Sequence, residues 1–186
     1  MESNLKFEEP HSDLQDSYRS LVREFMDRGE PLVPFPLAFP NDDFSAFLAR
    51  LAGCRRGEGI PTGFVPHSTY WLVRDGDEVV GVSNLRHRLT EALRLEGGHV
   101  GYGIRPSARR LGFATELLRR TLDRARAMGL TEVLLTCSKS NEASVRTILR
   151  NGGVFMSEGL IPSRGDVIQR YRISLETEPL ARGLAG

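Results

Sequence analysis

The chain has 186 residues, 40% of them hydrophobic, enough for one globular domain with a full core. Its formal net charge of +1 excludes the basic footprint of a nucleic-acid binder and a polybasic membrane signal. The start, residues 1–9, is acidic without an apolar signal core, and no apolar run reaches membrane-spanning length. Cys54 and Cys137 fall in different expected elements, so two reduced thiols in a cytoplasmic protein are expected, and no metal site.

Residues 5–8 suit a short opening strand. Ser12 and Asp13 are helix-start residues, and Leu14, Tyr18, Leu21, Val22, Phe25 and Met26 then repeat at helical spacing until Gly29. Residues 31–40 hold four prolines, which exclude helix and central strand. A second helix starts at Asn41 or Asp42, with Phe44, Phe47, Leu48, Leu51 and Ala52 on one face. Residues 55–66 form a loop rich in glycine and proline, long enough to be functional or mobile.

From His67 the period becomes that of strands. Residues 68–74 and 78–86 flank the hairpin signal Asp75-Gly76-Asp77. A polar connection over residues 90–96 leads to Gly97-Gly98 and the alternation Val100, Tyr102, Ile104. Pro106 stops that ladder, and from Ala114 apolar residues at 114, 117, 118, 122 and 125 mark a helix ending at Gly129. A strand over 131–137, a helix from Asn141 through Asn151, a strand over 154–157 and a last strand over 167–175 follow. Residues 176–186 read as a frayed tail, so one domain with its core in residues 3–175 is expected.

The most informative stretch runs from Val100 to Leu118. Arg109-x-x-Gly112-x-Ala114 is a basic loop of small residues at a helix N-terminus, where unpaired N–H groups and the helix dipole suit a phosphate. The P-loop pattern is absent, and the third glycine of a Rossmann fingerprint would fall on Pro106. The stretch instead resembles the Arg/Gln-x-x-Gly-x-Gly/Ala loop of the GNAT acyltransferase superfamily, and the order of elements over residues 3–175 is similar too. Asn141-x-x-Ser144 followed by Asn151-Gly152 resembles the branch that includes ribosomal-protein N-terminal and polyamine acetyltransferases.

That resemblance implies a mixed α/β (α+β) fold. Its sheet would be central, twisted and mostly antiparallel, with about seven strands, splayed central strands and helices on both faces. It further implies acetyl-CoA as cofactor and a direct transfer, in a ternary complex, of its acetyl group to a primary amine. By the same resemblance, Tyr102, Gly103 and Ile104 would bind the pantetheine arm as an added strand would. Arg109, Arg110, Leu111, Gly112, Phe113, Ala114 and Thr115 would wrap the pyrophosphate, and Asn141 would contact the arm. Arg109 and Arg110 are also ordinary surface arginines, and Asn141 an ordinary helix cap.

An attacking amine must lose a proton, and the titratable residues on the strand entry are Glu96 and His99, with His87 behind them. In a regular strand Glu96 shares a face with Tyr102 and His99 points away, whereas a bulge at the paired glycines reverses this. The choice stays open. Many members of the family carry a tyrosine beside the sulfur, but this chain has Thr147 in the matching region, so no general acid is assigned.

Phe35, Phe39 and Phe64 are candidates for an acceptor pocket, Trp71 for the core. A small-molecule amine is the expected partner, with a homodimer through the late strands implied by the resemblance. The alternatives are a protein N-terminus or lysine as acceptor, and a CoA-binding sensor without catalysis.

Overall fold

Two antiparallel sheets meet along one seam in a computed structural model that describes residues 4–163 and 165–176. The first holds β1 (Leu5–Glu8), β2 (His67–Arg74), β3 (Glu78–Arg86) and β4 (Val100–Ile104) in that order. The second holds β5 (Glu132–Ser138), β7 (Asp166–Ser174) and β6 (Val154–Ile161), with β7 central. Seven strands were expected, and the splay between β4 and β5 is deep enough to divide them into two ladders. Residues 177–186 of the expected tail lie outside the described residues.

Helices α1 (Gln15–Asp27) and α2 (Phe44–Arg56) cover one face of the first sheet. Tyr18, Leu21, Val22 and Phe25 of α1 are buried, as their spacing predicts, and the Tyr18 ring stacks on fully buried Trp71 at 4.8 Å. Asp43 starts α2 by accepting from the Ala46 N–H at 3.0 Å. Helix α4 (Phe113–Ala127) covers the other face with Leu117, Leu118 and Leu122, and α5 (Glu142–Arg150) packs beside it. Apolar periodicity sets these faces, and their burial supplies the driving force.

Two differences from the sequence reading have local causes. Helix α3 (Glu91–Leu95) forms inside the polar connection, capped by Thr90, and has no buried residue to betray it. Strand β6 continues to Ile161 because β7 pairs with it that far, although Ser157, Glu158 and Gly159 interrupt its apolar pattern. As an edge strand it leaves Val154, Phe155, Met156 and Leu160 about half exposed. Both cysteines are buried and free, as expected.

The connection between α1 and α2 crosses directly over β4. Carbonyl Val33 lies so close to Gly103 that a Cβ there would come within 2.0 Å of it, and one at Gly101 would come within 3.3 Å of Pro34. The alternating glycines of β4 therefore make room for another segment of backbone.

Candidate active site

The site begins where β4 leaves β5. His99 still donates its N–H to the Leu134 carbonyl at 2.7 Å. Beyond His99 no backbone hydrogen bond joins the two strands among the described residues, so one edge of β4 stays unpaired.

The turn after β4 is anchored from below. Arg105 is 6% exposed, and its guanidinium donates to the Val79 carbonyl at 2.9 Å, the Ser17 carbonyl at 2.6 Å and Glu24 Oε1 at 2.9 Å. Glu24 Oε2 accepts from the Ser107 N–H at 3.0 Å. Burial alone would raise the Glu24 carboxyl, but Ser107 and Arg105 hold it below its ordinary value. The chain then makes two left-handed residues, Arg110 at φ 66° and Gly112 at φ 85°, before α4 starts. This aims the amides of residues 109–114 away from the protein, and none has an acceptor among the described residues.

Edge and loop open into one cavity of about 650 Å³. Tyr102, Gly103, Ile104, Arg109, Arg110, Gly112, Phe113, Ala114, Thr115 and Asn141 all line it, and of the residues expected there only Leu111 does not. Asn141 also caps α5, accepting from the Ser144 N–H at 3.1 Å.

The guanidinium of Arg109 turns out to be engaged. It forks onto both carboxylate oxygens of Glu30, lies 5.4 Å from the Phe25 ring centre and so faces α1. The Arg109 hydrogen bonds lower the Glu30 carboxyl, burial acting against them.

On the far wall α5 contributes Ser144 and Thr147, which the sequence reading named, and Arg146 and Arg150, which it did not. The signal was present, because positions 143, 146, 147 and 150 share one helical face. Ser144 Oγ lies 2.8 Å from Tyr102 Oη, and burial pushes that phenol up to about 12, so it stays neutral. The Thr147 hydroxyl donates to the Ala143 carbonyl at 2.9 Å. Tyr70 and Tyr171 are core residues.

The base candidates lie at the other end of β4, outside the cavity lining. His99 is half-buried, and its Nδ1 accepts the Leu134 N–H at 2.9 Å. Burial, with Arg94 nearby, lowers its imidazole to about 4. Glu96 ends α3 with extended backbone, and Gly97 at φ 119° and Gly98 at φ 61° break the regular strand that would have placed both side chains. His87 lies against Ser68, with Nε2 to Oγ 2.9 Å. Phe35 is the hub of an aromatic group, within 5.4 Å of the rings of Phe39, Phe64 and His67. Trp71 belongs to the core, as expected. Among the described residues no cluster of three metal-ligating side chains exists, and no helix is long and apolar enough to cross a membrane.

The unpaired edge of β4 and the free amides before α4 thus share one cavity. A family profile for the GNAT acetyltransferase domain matches residues 12–154. The chain belongs to the GNAT family of acetyltransferases, acyltransferases that use acetyl-CoA.

Solved structures share the fold at low identity. RimL, a ribosomal L7/L12 α-N-protein acetyltransferase in complex with coenzyme A, matches with a TM-score of 0.67 and 14% identity, over 91% of this chain and 93% of its own. Spermidine N-acetyltransferase from Vibrio cholerae gives 0.61 and 15%, over 92% and 94%. YncA from Salmonella typhimurium, a putative acetyltransferase solved with acetyl-CoA, gives 0.61 and 16%, over 96% of each chain. No curated protein matches.

Proposed function

We propose that the protein transfers the acetyl group of acetyl-CoA to the primary amine of a small molecule. The observation that carries this reading is the single cavity joining the free edge of β4 to the unpaired amides at the start of α4. The cofactor supplies an acyl group already activated as a thioester.

Tyr102 and Ile104 offer backbone groups to the pantetheine arm, since Gly103 turns its own toward Val82 of β3, and the amides of residues 110–114 receive the pyrophosphate. Because Arg109 is held by Glu30, the nearby positive charge falls to Arg110, Arg146 and Arg150. The paired hydroxyls of Tyr102 and Ser144 stand beside the arm, where Ser144 can donate a hydrogen bond to the departing thiolate. On the opposite face, His99 has its Nδ1 lone pair filled and its ring proton on Nε2, so it is a donor. Glu96 is then the group that accepts the proton of the amine, directly or through water.

A small acceptor is favoured by the segment crossing β4. Val33 and Pro34 lie against that strand, and the Phe35 aromatic group follows them directly in the chain, which narrows the room for an extended peptide.

The test is release of CoA thiol from acetyl-CoA with a panel of amines. Turnover with small primary amines, falling at least about 100-fold in Glu96→Gln, is the expected result. Saturable binding without turnover on any amine would instead indicate a sensor.

A further inference from the structure

The seam between β4 and β5 closes in an irregular way. In a parallel ladder containing the bond from His99 N–H to the Leu134 carbonyl, Leu134 N–H would go to the carbonyl of residue 97. Thr136 N–H would go to that of residue 99. Both carbonyls are turned to Arg86 instead. Gly97 O accepts from the Arg86 guanidinium at 3.0 Å, and His99 O accepts from the Arg86 N–H at 2.7 Å. The Gly97 N–H donates to the hydroxyl of Thr136 at 2.9 Å, so a side chain replaces backbone there too. At Gly98 the strands are so close that a Cβ would meet the Leu134 carbonyl at 2.5 Å. Leu134 N–H is therefore left at a tight junction without a carbonyl, and the His99 ring accepts it at 2.9 Å.

We propose that His99 is a positioning residue that opens the sheet, its Nδ1 ending the pairing of β4 with β5 so that the edge from Tyr102 to Ile104 stays free for the acyl-CoA arm. The proposal rests on the reading that the arm lies along that edge. The ring satisfies a donor that would otherwise be stranded or would pull the strands into a different register. It does so as a neutral acceptor, which removes it from proton transfer with the amine.

Two substitutions separate this role from that of a base. In His99→Asn the amide oxygen sits as many bonds from the backbone as Nδ1, so it can accept from Leu134 N–H but cannot act as a base. His99→Leu fills similar space with no acceptor. Each variant is first checked for folding by circular dichroism, then compared in acetyl-CoA titration, in kcat and KM, and in amide exchange at Leu134. The expected result is acetyl-CoA affinity and kcat within about three-fold of the parent for His99→Asn, with Leu134 still protected. His99→Leu should bind at least about ten-fold more weakly and lose that protection, as stranding an amide implies.

The proposal is overturned if His99→Leu binds and protects Leu134 like the parent. It is equally overturned if His99→Asn keeps affinity but loses turnover. If His99→Leu does not fold, the Asn variant decides on the same criteria. If the parent itself does not bind acetyl-CoA, the proposed reaction fails, and Leu134 exchange alone then decides whether His99 ends the pairing.

Discussion

The Val33 carbonyl rests on Gly103 with no space between them for even a methyl group. This contact joins the α1–α2 connection to the strand whose free edge lines the cavity. Gly103→Ala must therefore displace the 31–40 segment or bend β4, at a cost of about 1–3 kcal/mol. Gly101→Ala, with 3.3 Å to Pro34, should cost less. Thermal melts should rank them in that order, and acetyl-CoA affinity should fall further in the Gly103 variant.

Glu30 places a carboxylate in a cavity meant for a polyanion and occupies the Arg109 guanidinium. Glu30→Gln removes one charge and frees the other. Acetyl-CoA affinity should rise by about three- to ten-fold at low salt, the gain shrinking as salt is added. The ion pair is partly exposed, so stability should change by less than about 1 kcal/mol.

Arg150 lines the same cavity without an acidic partner among the described residues, whereas Arg146 is shared with Glu142 at 3.0 Å. Asn151 Nδ2 donates to the Thr115 carbonyl, which brings this end of α5 beside the start of α4. Arg150→Ala should weaken acetyl-CoA binding about ten-fold with an unchanged melting temperature, and Arg146→Ala should weaken it less. Equal affinity in both variants and the parent would remove α5 from the phosphate site.

His67 is 2% exposed, and its Nδ1 accepts from Asn84 Nδ2 at 2.7 Å. Burial, with Arg86 and His87 nearby, lowers its pKa to about 4, close to the value of His99. The unfolded chain takes up these protons near pH 6.5, whereas the folded chain refuses them until about pH 4. Their stabilising contribution is complete above pH 6.5 and is lost as pH falls through that window, on the order of 3 kcal/mol for His67. Urea titrations between pH 7.5 and 5 should show this slope, and His67→Asn should flatten it.

The loop proposed to hold the phosphates was legible as a loop because it is local. A basic residue, a glycine at a left-handed position and an apolar helical period suffice to mark it, and Arg110 to Thr115 line the cavity, Leu111 excepted. The glycines of β4 were noticed, but the contact that requires them comes from residues 33 and 34, about seventy positions away, which no strand pattern encodes. Arg109 carried the right charge for a phosphate, yet its pairing with Glu30 depends on how α1 ends against the loop. The regular-strand argument could not place Glu96 relative to His99, since Gly97 and Gly98 between the two both adopt positive φ.

The Arg105 guanidinium ties carbonyls of β3 and α1 and the Glu24 carboxylate to the residue that begins the phosphate loop. Those bonds form when the chain folds, long before any ligand arrives. The entropy of fixing the loop is thus charged to folding rather than to recognition. Cofactor capture should resemble a key entering a cut lock, with a fast on-rate and little change in backbone order around residues 105–108.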